Sequence, residues 1–333
     1  MAKNGHKDLF VKTPLIESLE LKPFCGSRKV YLKLESAQPA ASFKMRGISR
    51  VCQKAARDGY KEIVCASGGN AGLAAACAAR ELGLKCRIVV PNRTSDMMKD
   101  KIAREGADIE TVGDVWDDAN ARALQVIREC KQALYIHPFD DPIVWSGHST
   151  MIDEIAADLN ATPSMIITCC GGGGLLCGII EGMRRHGWTS VPVLAMETTG
   201  ANSLNAAVTA AVDGVVRPVI LPAITSIATT LGTYSICDQL AKEYNASAPP
   251  VLSHMVEDRD AVDACLKFAD HHRILVEPAC GATLAALYTG LVERLLADNS
   301  GHEYGSGPVV VIVCGGAAVN IDIFAELKSR FDL

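Results

Sequence analysis

The chain has 333 residues, 49% hydrophobic and 21% charged, with a formal net charge of −5. At roughly 150 residues per domain this is about two domains with ample apolar material for a core. An acidic balance without concentrated Lys and Arg excludes a general nucleic-acid or polybasic membrane surface, and no apolar run reaches the roughly 18 residues of a membrane span.

The thirteen cysteines have no C-x-x-C spacing, and most lie in apolar runs such as Ile63-Val64-Cys65 and Ile167-Thr168-Cys169-Cys170. They read as free thiols in a reducing compartment, where cysteine packs as a small hydrophobe. The N-terminal residues Lys3, His6, Lys7 and Asp8 carry charge where a secretory signal carries an apolar stretch, so the expected location is cytoplasmic. The histidines show no metal-ligand spacing on a shared helical face, and metal catalysis is not expected.

From Tyr60 onward, short β-rich runs alternate with helical ones, the pattern of an α/β protein with parallel sheets covered by helices. Strands are expected at Glu62–Ala66, Lys85–Val90, Asp108–Val112 and Leu134–Ile136. Helices are expected at Ala71–Leu82, Ser95–Glu105 and Val115–Cys130, with Ser95 as an N-cap. A second series begins with Met165–Cys170, apolar throughout as befits a strand buried on both faces. It continues with a helix at Leu175–Arg185, strands at Val193–Glu197 and Val309–Cys314, and a closing helix at Ile321–Phe331.

Three segments carry candidate chemistry. Ser42-Phe43-Lys44-Met45-Arg46-Gly47 places a lysine ahead of a helical stretch. A lysine used as a covalent amine must spend time unprotonated, which a partly desolvated pocket favours. Ser67-Gly68-Gly69-Asn70-Ala71-Gly72 lies between a strand and a helix, where its amides and the Ser67 hydroxyl suit a carboxylate; Asn70 could equally be an ordinary N-cap. Gly171-Gly172-Gly173-Gly174, followed by Leu175, removes every Cβ from a strand-to-helix turn, so several N–H groups can converge beside a helix N-terminus as a phosphate cradle. A dinucleotide-binding turn is the alternative, kept open by Glu197 at the end of the next strand.

In this order, and with Thr13-Pro14-Leu15 before them and Val313-Cys314-Gly315-Gly316 after, these segments resemble the fold type II (β-family) pyridoxal phosphate enzymes, most closely their serine/threonine dehydratase branch. The resemblance implies two open-sheet α/β domains, a small one at 47–143 inserted into a larger one built from 1–46 and 144–333, and a homodimer. It implies pyridoxal 5′-phosphate on Lys44, with Phe43 against its ring, Asn70 on its 3′ oxygen, Gly171, Gly172, Gly173, Gly174 and Leu175 on its phosphate, and Cys314 facing its ring nitrogen. Ser67, Gly68, Asn70 and Ala71 would hold the substrate carboxylate. The implied activity is β-elimination of L-serine or L-threonine, with racemase, cysteine-synthase-like and weakly active regulatory proteins as alternatives. A potassium site would use Gly171, Glu197, Ala201, Ser203, Leu231 and Thr233; the simpler reading of Glu197 is a helix cap. Glu277-Pro278-Ala279-Cys280-Gly281 resembles a segment that helps line the site, or simply starts a helix.

Two positions depart from the family. Ala40-Ala41 stand where it usually reads S-G or T-G, and alanine resists the positive φ that glycine accepts. Gly68 stands where the related racemases carry the serine that acts as their second acid/base, so elimination is expected to dominate.

Overall fold

The computed structural model describes residues 8–26, 28–298 and 304–333. The strands are β1 (Leu15–Glu17), β2 (Val30–Leu34), β3 (Glu62–Ala66), β4 (Lys85–Val90), β5 (Asp108–Thr111), β6 (Ala133–Ile136), β7 (Met165–Cys169), β8 (Val193–Thr198), β9 (Val251–Val256) and β10 (Val309–Val313). The helices are α1 (Lys44–Arg57), α2 (Asn70–Leu82), α3 (Asp96–Arg104), α4 (Trp116–Glu129), α5 (Pro142–Asp158), α6 (Gly174–Arg185), α7 (Ser203–Thr209), α8 (Asp238–Ala246), α9 (Asp258–His272), α10 (Pro278–Tyr288), α11 (Leu291–Ala297) and α12 (Ile321–Arg330). No helix among the described residues is long and apolar enough to cross a membrane.

By contacts the chain divides into two units. One comprises residues 8–12 and Gln38–Gly147; the other, Thr13–Ala37 and His148–Leu333. Lys44, at the first position of α1, falls in the smaller unit, whereas the boundaries implied by resemblance place it with the larger one.

The smaller unit holds a four-stranded sheet in the order β5-β4-β3-β6, parallel throughout. Under α4 its core comprises Val64, Ala66, Val89, Ala119, Ala123, Val126 and Ala133, whose small side chains let helix and sheet approach closely. Ser95 caps α3 as expected, accepting from the Met98 amide. Where Gly147 of α5 passes the start of α1, an added Cβ would lie 2.5 Å from Gly47 Cα and 2.6 Å from the Arg46 carbonyl. The glycine after Lys44-Met45-Arg46 therefore serves a backbone crossing. Arg46 itself is fully buried, its guanidinium over the Phe10 ring at 5.1 Å.

The larger unit holds a six-stranded sheet in the order β1-β2-β10-β7-β8-β9, with only β1 antiparallel to its neighbour. Every residue of β7, β8 and β10 is buried, which explains their continuous apolar sequences. At about 1.5–3 kcal/mol per large aliphatic side chain removed from water, these central strands anchor the loops at their ends. In parallel open sheets ligands bind beyond the carboxyl ends of the strands. Two of the three candidate segments follow from that geometry, since Ser67–Gly69 leaves β3 and Gly171–Gly173 leaves β7, and Cys314 lies one residue past β10.

Candidate active site

In the smaller unit, Phe43 is the N-cap of α1 and Lys44 its first residue. The Lys44 Nζ donates to the Pro138 carbonyl at 2.6 Å, just past the end of β6, and lies 5.2 Å from the Phe43 ring centroid. Beside it the Ser42 hydroxyl is buried without a partner, a polar atom positioned to meet a bound group. The turn into this helix is closed by Ala41 N–H to Gln38 O at 2.7 Å, and Ala41 sits at φ +55°. The sequence departure thus falls on a left-handed residue, where a Cβ costs about 1–2 kcal/mol. Ala41→Gly is expected to stabilise the protein by up to about 1 kcal/mol once the added chain entropy of glycine is counted. A urea midpoint that falls in the variant would show that Ala41 is not strained.

The Ser67–Gly69 loop is a side-chain turn, with the Gly69 amide donating to Ser67 Oγ at 3.3 Å. A Cβ on Gly72 would lie 1.9 Å from the Ser67 carbonyl, so that glycine lets the loop fold back on the first turn of α2. The helix cap is Gly69, with no side-chain capping bond, and Asn70 is the first helical residue. Asn70 is therefore not the N-cap. Around the loop stand residues that the sequence reading missed. Trp116 at the start of α4 donates from Nε1 to the Ala66 carbonyl at 2.7 Å, and a Cβ on Gly68 would meet Thr94 Cγ2 and Oγ1, both at 2.5 Å. Thr94 follows β4 and His137 follows β6, the two neighbours of β3. Sheet order is the signal that would have found them, and spacing along the chain does not reveal it.

In the larger unit, Gly171–Gly173 leads from β7 into α6, with Gly173 at φ +102°. The carbonyls are engaged: Gly172 accepts from the Cys237 amide at 3.0 Å, and Gly173 from the Cys177 amide at 2.9 Å. Among the described residues the amides of Gly171, Gly172, Gly173, Gly174 and Leu175 find no acceptor, although residues 172–175 are buried. Unpaired buried N–H groups are costly. A run of them at a helix N-terminus is a fitting cradle for a phosphate.

Cys314, one residue past β10, is buried with its sulfur 3.6 Å from that of Cys169. The neighbouring thiols of Cys169 and Cys280, together with burial, push its pKa well above the ordinary thiol value, so it stays neutral. Gly171, Ser203, Leu231 and Thr233 come together: Ser203 Oγ is 3.3 Å from both the Gly171 carbonyl and Thr233 Oγ1, and the Leu231 carbonyl is 3.1 Å from where a Cβ on Gly171 would sit. Glu197 caps α7, accepting from the Leu204 amide at 2.8 Å and the Asn205 amide at 2.7 Å; Ala201 lies in the turn between, its amide on the Thr198 carbonyl. Glu197 is fully buried, and burial pushes its carboxyl pKa up to about 8. Glu277 precedes α10, whose first residue is Pro278, and its carboxylate joins Thr230 Oγ1 at 2.8 Å to the Ala318 amide at 2.7 Å. The helix-start reading of that segment holds.

Two open, largely parallel sheets with glycine-bearing loops at their carboxyl edges, one of them presenting a run of buried amides at a helix N-terminus, fit an α/β enzyme that works through a phosphorylated cofactor. Residues 7–315 match the family described as Pyridoxal-phosphate dependent enzyme, and the chain belongs to that family. It is 42% identical over 329 residues to L-serine dehydratase/L-threonine deaminase of Mus musculus, covering 99% of this chain and 98% of that one. To the serine dehydratase-like protein of Homo sapiens it is 43% identical over 337 residues, covering 99% and 98%. A fungal L-serine ammonia-lyase from Rhizomucor miehei has the same fold, with a TM-score of 0.88 at 33% identity, covering 98% of this chain and 100% of that one.

Proposed function

We propose that the protein is a pyridoxal phosphate-dependent lyase that converts L-serine to pyruvate and ammonia, and L-threonine to 2-oxobutyrate and ammonia. Similarity to L-serine dehydratases along nearly the whole chain carries this reading. When bound, the cofactor supplies an electron sink for the Cα carbanion. The Gly171–Leu175 amides would hold its phosphate, Phe43 its ring face, Asn70 its 3′ oxygen and Cys314 its ring nitrogen. Ser67, Gly68, Asn70 and Ala71 would orient the substrate carboxylate. Lys44 would hold the cofactor through its amine, and that amine, once free, would take the Cα proton. A neutral thiol at Cys314 leaves the ring nitrogen without a proton donor of carboxylic strength, which disfavours transamination. The test is release of the two 2-oxoacids from the two amino acids. Cysteine formed from an activated serine and sulfide, with no 2-oxoacid from serine, would transfer the reading to the β-replacement enzymes.

Racemisation is expected to be slight, because Gly68 offers no second acid/base. Gly68→Ser alone is crowded by Thr94, so D-serine formation should rise in Gly68→Ser with Thr94→Ala and much less in the single variant. A positioned acid/base group contributes about 10²–10⁴-fold. D-serine accumulating as fast as pyruvate in the wild type would remove this role for Gly68.

We also place a potassium ion among Gly171, Glu197, Ala201, Ser203, Leu231 and Thr233. A hard cation favours such oxygens, and a buried carboxyl facing only amides lacks a countercharge. With its folded pKa raised by burial to about 8 from the ordinary 4.5, Glu197 is protonated in the folded state where the unfolded chain has already ionised. Its contribution to stability is complete below the lower value and is lost as pH rises through the upper one. In tetramethylammonium buffer the melting temperature should therefore fall between about pH 6 and pH 8, and potassium should flatten that slope and raise activity. Equal slopes and equal activity in both salts would exclude the site. The protein is read as a cytoplasmic homodimer; its mass in solution checks the dimer.

A further inference from the structure

His137 directly follows β6. Its Nδ1 accepts from the Asp140 amide at 2.8 Å and the Phe139 amide at 3.3 Å. A ring nitrogen that accepts two N–H groups carries no proton, so the proton of the neutral ring is on Nε2. The ring is held edge-on to Phe139 at 4.6 Å between centroids, and is flanked by Trp116 at 6.5 Å and Tyr135 at 6.3 Å. Trp145 fixes the far side of the turn, its Nε1 donating to the Phe139 carbonyl at 2.7 Å. Inside this turn is Pro138, which is buried, and its carbonyl accepts from the Lys44 amine. The imidazole sets the turn, the turn aims a carbonyl, and the carbonyl holds the amine.

We infer that His137 is the positioning residue for Lys44, keeping the Pro138 carbonyl on the lysine amine only while the imidazole is neutral. The inference rests on Lys44 being the reactive lysine. A proton on Nδ1 would point an N–H at two N–H donors, opening the turn, and would set a second positive charge beside Lys44. The charged groups facing the ring are Lys44 from α1 and Asp140 and Asp141 from the turn; the Tyr135 phenol of β6 is bonded to Asn120. Burial, with Lys44, outweighs the two aspartates and lowers the His137 pKa below its ordinary value, so the clamp is closed at neutral pH and opens in acid.

Two variants separate this role from a general structural one. In His137→Asn the side-chain oxygen occupies the place of Nδ1 and can accept the same two amides, but it does not titrate. In His137→Leu nothing accepts them. At neutral pH the asparagine variant should retain most of the wild-type kcat, and the leucine variant should lose about tenfold or more, the loss expected when an interaction of roughly 1.4 kcal/mol is removed, with KM little changed. The ratio of wild-type to asparagine-variant kcat should fall in acid, at a pH below the ordinary imidazole range. The same order and the same pH-dependent ratio should appear in cofactor-free protein, read as the rate at which an amine-specific reagent labels Lys44 in peptide maps. Nitrogen NMR of the cofactor-free wild type should show Nδ1 unprotonated at neutral pH. A ratio constant with pH, an asparagine variant as impaired as the leucine one, or a protonated Nδ1 at neutral pH would each overturn the inference. Borohydride labelling of a lysine other than Lys44 would instead defeat the reading on which it rests.

Discussion

Lys44→Ala is expected to abolish the visible absorbance of lysine-bound cofactor and to lower turnover by at least about 10³-fold, since one side chain provides both the covalent attachment and the proton transfer. The side chain leaves the first turn of α1 and reaches Pro138 across the end of the small sheet. Alanine is the best helix former, so the variant should fold with α1 intact, and the loss would report chemistry. Lys33 provides a control of a different kind. Unlike Lys44, which is half-buried, it is fully buried, and its amine is engaged by the Thr13 carbonyl and the Glu154 carboxylate, both in the larger unit. Replacing it should destabilise the fold, because Glu154 would lose its countercharge, yet the absorbance of the protein that does fold should remain. Turnover surviving in Lys44→Ala at a tenth of wild type or more would place the proton transfer elsewhere.

Gly173→Ala is expected to weaken cofactor binding by tenfold or more. At φ +102° any Cβ is strained, and here it would also lie 2.8 Å from Leu240 Cδ2 and 3.3 Å from Cys237 Sγ. The loop must shift, taking with it the converging amides of the cradle. Strain of about 1–3 kcal/mol at such a residue, relieved by moving the loop, corresponds to roughly tenfold or more in affinity. Gly187, at φ +72° with nothing within 4 Å of a Cβ, separates backbone strain from damage to the cradle. Gly187→Ala should cost about 1 kcal/mol of stability and leave affinity for pyridoxal phosphate unchanged. Titration of cofactor-free protein by visible absorbance compares the two. Equal affinities in both variants would mean that the glycine loop does not hold the phosphate.

The parts of the fold legible in the sequence were those fixed by short-range physics. The strands β3 and β4 match the expected residues, and β7 and β10 fall within one residue, because each is an apolar run bounded by turn residues. The glycines of the cradle were legible because no other residue allows so many amides to converge. What escaped depended on partners distant in the chain. β9 reads Val-Leu-Ser-His-Met-Val and is only partly buried, so it shows no apolar run, and only its place at the edge of the sheet beside β8 makes it a strand. β1 is three residues long and gains its definition from β2. α5 went unrecognised behind the Pro138–Pro142 break, and the reason for Gly147 is a helix start that lies about a hundred residues earlier in the chain. Glu197 shows both sides: the sequence placed it at the end of a strand and offered a cap or a cation ligand, and the structure shows the cap directly. Thr94 and Trp116 meet the start of the asparagine loop, with His137 beside Trp116, only because β4 and β6 flank β3 and α4 packs over that sheet.

The most direct test is borohydride reduction of the purified, cofactor-loaded protein, followed by trypsin digestion and mass analysis. Reduction makes the link between lysine and cofactor permanent and blocks cleavage at that residue. The expected product is a single modified peptide from Leu34 to Arg46, uncleaved at Lys44 and heavier by the reduced pyridoxal phosphate group. A modified peptide containing any other lysine, or no modified peptide from protein that absorbs in the visible, would contradict the assignment of Lys44 and the mechanism built on it.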